Sequence, residues 1–443
     1  MSEPLQMSPG SRRSDRGRIR DFQRKLYRKA KQEPEFRFYV LYDKVRSMRF
    51  LWEAYRRVKA KGGAPGMDGV TFEEIEEGGL EEFLEGLHAE LEMETYVPSP
   101  VLRVYIPKAN GKQRPLGIPT IRDRVVQMAC KLVIEPIFEA DFEDSSYGFR
   151  PKRSAQEAVA AVKGHLKAGR TEVFDADLSA YFDTIPHAKL MKVLALRISD
   201  SKVLHLIKLW LKSPMWEDGR LTGGKQNKLG TPQGGVISPL LANIYLHLID
   251  RLVNKAGSIF STYGVKIVRY ADDFVLLGNS LPSQVLLKLK EVLARMGLRL
   301  NVEKSQHLNA REVSFEFLGF TYRYDRSRYG SGRRYWNVVP SKRSEKKLRE
   351  KLRAYFKRGQ CMPVEVFVAG LNRLVRGWVN YYHIPHVSFS KQAFWSLRWY
   401  MSRSLYRHFR RKSQRKGTLF RQKGFRGFVE QYGLIDPVRL SFC

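Results

Sequence analysis

Asp272 and Asp273 stand side by side between two apolar runs, Ile267-Val268 and Phe274–Leu277, within the stretch Val265–Gly278. The flanking residues are strand formers, so the pattern predicts a β-hairpin with carboxylates at its tip. Adjacent carboxylates repel each other and resist burial beside apolar strands unless a cation neutralises them. Mg²⁺ suits such a pair, because it prefers carboxylate oxygens and takes the rest of its shell from water and substrate phosphates. Read alone, the pair fits a solvated Asp-Asp turn equally well. A second strand-like run, Val173–Asp183, carries Asp175, Asp177 and Asp183. Laid beside the hairpin, it would bring Asp177 to the pair. Three carboxylates at one end of a sheet would make a two-metal site, activating an attacking hydroxyl and stabilising a leaving pyrophosphate.

The elements needed to position these groups are legible around them. Helices are predicted in the Leu190–Leu211 region, in Gly230–Leu246 after an opening Gly/Pro loop, and over Leu286–Met296. Strand–helix–strand–strand order indicates an α+β domain with a largely antiparallel sheet. Upstream, Val101–Pro107 and Gln113–Ile118 flank Ala109-Asn110-Gly111-Lys112, a hairpin signal bordered by Lys108 and Arg114. Phe36–Lys61, Arg122–Ala140 and Ala155–Leu166 read as helices. Gly62–Gly69 is a glycine-rich turn without the Lys-Ser/Thr that a P-loop requires.

The ends of the chain differ in composition from the middle. Residues 1–17 are polar and expected to be disordered. Arg18–Lys31 alternates basic and apolar residues at helical spacing, as either an RNA-lying helix or a helix with a solvated basic face. Thr71–Glu94 holds ten Glu and no Lys or Arg, which marks a face turned away from nucleic acid. Between Glu365 and Glu430 there are fourteen Lys or Arg and no acidic residue. Glu365–Tyr382 and Ser390–Phe409 read there as helices of a thumb; an apolar stripe of this kind is more often core than a base-stacking platform, so burial comes first for Trp378, Trp395 and Trp399. Bases without counter-charge argue for phosphate contact, and Arg376, Arg398, Arg403, Arg407, Arg410 and Arg411 are the candidates.

Composition bounds the partners. The 443 residues are 43% hydrophobic, enough for a sizeable core, and 79 Lys and Arg against 45 Asp and Glu leave a formal charge of +34. Self-repulsion at that charge opposes compaction unless a polyanion neutralises it, so nucleic acid is the leading partner. No apolar run is long enough to span a membrane, and no signal-peptide pattern is present. Cys130, Cys361 and Cys443 are dispersed, which argues against a disulfide framework or zinc site and fits a reducing cytoplasm.

Taken together, the motifs resemble those of reverse transcriptases. Tyr270-Ala271-Asp272-Asp273 is similar to their Tyr-x-Asp-Asp box, and Asp177 with Phe182 resembles their first catalytic motif. Gly230–Leu246, Tyr147–Pro151, Gly297–Ser305 and Phe317–Phe320 follow in family order. Within the family, Ile106–Pro119 and Leu374–Tyr382 resemble group II intron enzymes, also called maturases. The resemblance runs from about residue 50 to residue 385.

That resemblance implies a right-hand polymerase. Fingers would occupy residues 35–170 after a basic extension over 1–34, followed by a palm over 171–322. An all-α thumb would span 323–423 and a tail 424–443. It implies that Asp177, Asp272 and Asp273 are catalytic and hold two Mg²⁺, with Mn²⁺ able to substitute. It places Lys108 and Arg114 on the triphosphate of a dNTP, or alternatively on template backbone. Phe182 would lie under the sugar, Gln233 at the nascent pair and Lys304 near the phosphates, while Asp175 and Asp183 are unassigned. Group II-type intron RNA, primer and target DNA, and dNTPs are the implied partners. Many relatives end in a metal-bound endonuclease rich in Cys and His. Such a cluster is missing here, so the expectation is an endonuclease-lacking type that takes its primer from elsewhere, such as a replication fork. A splicing cofactor with an idle polymerase would show an eroded site, and this one retains every key residue. A retron or defence-type enzyme fits the long basic thumb poorly, and an RNA-dependent RNA polymerase fits Phe182 poorly.

Overall fold

The computed structural model describes residues 9–107, 111, 113–327, 332–411 and 418–440. Lys108 therefore lies outside the described residues, as does the side chain of Arg411.

The first part of the chain is helical around one hairpin. It comprises α1 (Pro9–Gln32), α2 (Tyr42–Val45), α3 (Met48–Lys61), α4 (Phe72–Glu77), α5 (Leu80–Glu92), β1 (Val101–Pro107), β2 (Gln113–Ile118), α6 (Ile121–Asp141) and α7 (Ala155–Lys167). The middle contains β3 (Glu172–Ala176), α8 (Tyr181–Thr184), α9 (His187–Ala195), α10 (Ser201–Leu211), β4 (Pro214–Glu217), β5 (Arg220–Gly223), α11 (Ser238–Asn254) and α12 (Ile259–Thr262). It continues through β6 (Lys266–Tyr270), β7 (Asp273–Gly278), α13 (Ser283–Met296) and β8 (Gln306–Asn309). The last part has β9 (Phe315–Phe317), β10 (Phe320–Arg326), β11 (Arg334–Pro340), α14 (Lys342–Arg358), α15 (Val364–Tyr382), α16 (Lys391–Arg411), α17 (Thr418–Tyr432) and α18 (Pro437–Leu440).

The acidic hairpin forms as expected and lies in a sheet ordered β6-β7-β3-β8, with antiparallel neighbours throughout. Strand alternation sends successive side chains to opposite faces. Phe174, Ala176, Ile267, Phe274 and Leu276 enter one hydrophobic core with the N-terminal helices. Val173, Val268, Val275 and Leu277 enter a second core with β9–β11 and the C-terminal helices. The sheet is thus the shared wall of two cores, which is why β7 reads as a continuous apolar run.

Three long-range arrangements differ from the sequence reading. The fingertip hairpin is extended into a sheet β2-β1-β4-β5, because β1 pairs in parallel with β4. The boundary expected at 322/323 falls inside β10, and β11 pairs with β10 along its length, so the C-terminal region is not wholly helical until Lys342. The segment expected to be a tail is core: Phe428, Leu434 and Val438 are buried. Asn372 clamps that segment, donating to the Gly433 carbonyl at 2.8 Å and accepting from the Ile435 N–H at 2.8 Å.

At the other end, α1 docks on α6 through buried Ile19, Leu26 and Ala30, and Gln23 donates to the Leu132 carbonyl at 2.8 Å. The Glu-rich stretch also serves inward. Glu76, Glu90, Glu92 and Glu94 pair with Lys59, Arg122, Arg46 and Lys202.

Candidate active site

The end of the sheet gathers the acidic residues. Asp175 is directly opposite Val275 across the β3–β7 ladder, two positions from Asp273, and Asp177 follows immediately after the end of β3. Their mutual influence is electrostatic. Burial, then the Asp273 charge and the Asp177 charge, push Asp175 up to about 7, opposed by a hydrogen bond from Gln306. Surrounding protein and the Asp272 and Asp177 charges push Asp273 up to about 6, although its side chain keeps access to solvent. Asp272 is raised chiefly by burial. The fields of Arg114 and Lys304 oppose the rise at Asp273, so both expected cations stand close enough to act on the site.

The structure therefore brings Asp177, Asp272 and Asp273 together. It does not close them into a finished ligand shell: among the described residues no three His, Cys, Asp or Glu side chains are gathered as a metal cluster. Lys304 pairs instead with Asp177 Oδ2. Crowded carboxylate oxygens are nonetheless the donor set a hard divalent ion prefers.

The turn that presents Asp272 is held from behind. Ala271 adopts φ +57°, a left-handed conformation unusual for a residue with a Cβ. Arg269, fully buried, donates from Nη1 to the Ala271 carbonyl at 3.0 Å and to Asn243 Oδ1 at 2.9 Å. Its Nε donates to both Asp250 oxygens at 2.9 and 3.0 Å, and Asp250 is equally buried. Asn243 in turn donates to the Gly148 carbonyl at 2.7 Å. A Cβ at Gly148 would fall 2.3 Å from the Ala271 nitrogen, so the Tyr147–Pro151 motif owes its glycine to contact with this turn. None of Arg269, Asp250 or Asn243 was identified from sequence. The available signal is Asn243 and Asp250 seven positions apart, on one face of α11 among apolar residues.

Gln233 and Phe182 are linked through loop contacts. The Thr231 N–H donates to the Phe182 carbonyl at 2.7 Å, and Gln233 Nε2 donates to Asp183 Oδ2 at 3.2 Å. The Gln233 carbonyl accepts from the Gly117 N–H of β2 at 2.6 Å. The same loop thus touches both the Asp177–Phe182 turn and the fingertip hairpin. A Cβ at Gly234 would meet the Gly117 carbonyl oxygen at 2.3 Å, so protein backbone requires this glycine. Gly66 likewise packs on the Thr120 backbone, where a Cβ would fall 2.7 Å from the Thr120 nitrogen.

Among the thumb candidates, Arg376, Arg403, Arg407 and Arg410 are exposed. Arg398 is not a free phosphate contact. It pairs with buried Asp436 at 3.5 Å and lies over the Trp395 and Phe425 rings at 5.0 and 5.4 Å. The tryptophans split: Trp378 is half-buried against the second core, whereas Trp395 and Trp399 are 49% and 62% exposed. Sequence reasoning also passed over α14, which has nine Lys or Arg against two Glu in seventeen residues.

Comparison with known proteins agrees with this geometry. Residues 106–322 match the family described as reverse transcriptase (RNA-dependent DNA polymerase), and residues 345–426 match the group II intron maturase-specific domain. Protein YkfC of Escherichia coli is 37% identical over 353 residues, covering 71% of this chain and 91% of YkfC. The chain belongs to the group II intron reverse transcriptase and maturase family. The group II intron-encoded protein LtrA of Lactococcus lactis is 40% identical over 203 residues, 45% of this chain and 33% of LtrA. A 91 kDa protein in the cob intron of Schizosaccharomyces pombe is 29% identical over 369 residues, covering 67% of this chain and 45% of that protein. The chain spans less than half the length of those last two relatives. Its reverse transcriptase domain implies dependence on a divalent metal, and its maturase domain implies binding of intron RNA. Among the described residues no helix is long and apolar enough to cross a membrane.

Proposed function

We propose that this reverse transcriptase extends a DNA primer on intron RNA, with Asp177, Asp272 and Asp273 as the catalytic carboxylates. The observation that supports the reading is that β3 pairs with β7 and the Asp272 and Asp177 charges both act on Asp273 at one end of that pair. Two Mg²⁺ ions held there would lower the pKa of the primer 3′-hydroxyl and offset charge on the departing pyrophosphate. The chain's own groups would supply position and field. Asp272 and Asp273 would face the reacting phosphate from the turn fixed by Arg269. Lys304 would leave Asp177 for the phosphates of the dNTP, and Arg114, with Lys108, would meet the triphosphate from the fingertip hairpin. Phe182, next to the Gln233 loop, would lie under the sugar where a 2′-hydroxyl has no room. The basic C-terminal helices would hold intron RNA during splicing and reverse transcription, acting in the bacterial cytoplasm and on nucleoid DNA during mobility.

Primer extension on an RNA template in Mg²⁺ tests the assignment. Asp272→Asn removes a ligand without touching the basic surface, so extension should be abolished while RNA affinity stays near wild type. Extension at the wild-type rate would refute the assignment.

A further inference from the structure

The outer face of α16 has a composition that the polymerase site does not explain. Its inner face is complete: Phe394, Leu397, Met401, Leu405 and Phe409, at helical spacing, are all at most 5% exposed. Trp395 and Trp399 stand on the other side, at 49% and 62% exposure, followed at four-residue steps by exposed Arg403 and Arg407. Leaving two indoles in water is unfavourable, and the filled inner face shows that they are not overflow from the core. Guanidinium groups lie near both rings, Arg398 at 5.0 Å from Trp395 and Arg403 at 5.3 Å from Trp399. The basic helix α14 is fastened alongside, where Arg349 Nη2 donates to Ser396 Oγ at 2.9 Å and Tyr400 OH to the Arg349 carbonyl at 3.4 Å.

We infer that Trp395 and Trp399 form a stacking platform for unpaired bases of a bound RNA, with the neighbouring Arg and Lys residues on its phosphates. Charge selects the occupant class. No acidic residue occurs between Glu365 and Glu430, so the surface complements a polyanion. The indoles select the conformation, because a base offers its π face to a protein ring only where it is unstacked, whereas arginines alone bind duplex and single strand alike. Alternating aromatic and basic side chains along one track is the arrangement that grips single strands with little sequence preference. This inference deepens the proposed RNA-binding role of the C-terminal helices by naming the form of RNA they hold.

The test uses the full chain and two probes, a short oligouridylate and a blunt RNA duplex of equal length. Trp395→Ala/Trp399→Ala should weaken oligouridylate binding by about ten-fold or more. Duplex affinity and the salt dependence should be unchanged, and Trp395→Phe/Trp399→Phe should retain most of the binding. Extension of a short primer–template at saturating concentration should stay at the wild-type rate, which confirms folding and separates this result from any failure of the catalytic assignment. Stacking is also read without a destabilising variant. Oligouridylate should quench wild-type tryptophan emission, and that component should be missing from Trp395→Phe/Trp399→Phe. Equal loss on both probes, unchanged oligouridylate affinity, or no difference in quenching would overturn the proposal. Loss of self-association by the alanine variant, seen by sedimentation without loss of RNA binding, would overturn it in favour of an interface between copies.

Discussion

The turn that presents Asp272 and the outer face of α16 are built in opposite ways. The turn has one left-handed residue, Ala271, whose carbonyl, backbone neighbour and supporting arginine are each fixed by a separate buried contact. The helix face has Arg403, Arg407 and Arg410 exposed on a regular α-helix. Reacting groups must be held to a fraction of an ångström, whereas attraction of a polyanion needs only charge at roughly the right spacing. Single substitutions should therefore act steeply in the palm and in small, additive steps on the thumb.

The largest effect should come from the pair behind the turn. Breaking a buried ion pair by removing one partner costs about 3–5 kcal/mol. Asp250→Ala should lose that order of stability in denaturant unfolding, with extension falling even in the folded fraction. A shift under 1 kcal/mol would mean that the turn does not depend on the Arg269–Asp250 pair.

Gly148→Ala is a narrower probe of the same turn, since its new Cβ would press on the Ala271 nitrogen. Extension should drop by roughly ten- to a hundred-fold while RNA affinity holds, because a small displacement at the reacting groups is felt mainly in rate. A wild-type rate in single-turnover kinetics would show that the turn tolerates displacement.

Phe182→Ala tests the pocket beside the turn. Relative incorporation of rNTP over dNTP should rise on the order of ten-fold, and an unchanged ratio would remove Phe182 from the sugar site.

Acid should separate the regions more gently. His247 on α11 is driven down to about 4, chiefly by burial, against an ordinary value of 6.5. The unfolded chain then binds the extra proton between those values. This contribution to stability is complete above pH 6.5 and is lost as the pH falls toward 4. The denaturation midpoint of wild type should fall across that window, and His247→Gln should fall less.

The smallest effect per residue belongs to the thumb. Arg403→Ala, Arg407→Ala and Arg410→Ala should each flatten the dependence of log K on log salt by roughly 0.7–0.9. A drop in affinity at an unchanged slope would mean that these residues support folding and do not meet phosphate.

The same contrast explains what could be read from the sequence. Hairpin chemistry is local, so β1, β2, β6 and β7 are legible from runs of strand-forming residues and from the residues at their tips. The pairing of β3 with β7, which sets Asp177 near Asp272 and Asp273, could be written from the sequence only as a condition. By comparison, the parallel pairing of β1 with β4 and the β10–β11 ladder depend on partners that leave no local periodic mark. The contact of Lys304 with Asp177 joins residues 127 apart and could only be inferred as proximity to phosphates. Trp395 and Trp399 were placed in the core by residue type, and the filled inner face of α16 reversed that placement. Gly117 and Gly234 are visible as glycines, but only the fold shows that a Cβ at Gly234 would strike the Gly117 backbone and one at Gly117 the Val101 side chain.

The central claim is that geometry in the palm and charge on the thumb are separable. Measuring single-turnover extension rate and RNA affinity for both Gly148→Ala and Arg403→Ala/Arg407→Ala tests it most directly. We expect the palm variant to lose rate at unchanged affinity, and the thumb variant to lose affinity while reaching the wild-type rate at saturating RNA. If either variant lowers both quantities in proportion, the two regions form one coupled site and the division drawn here is wrong.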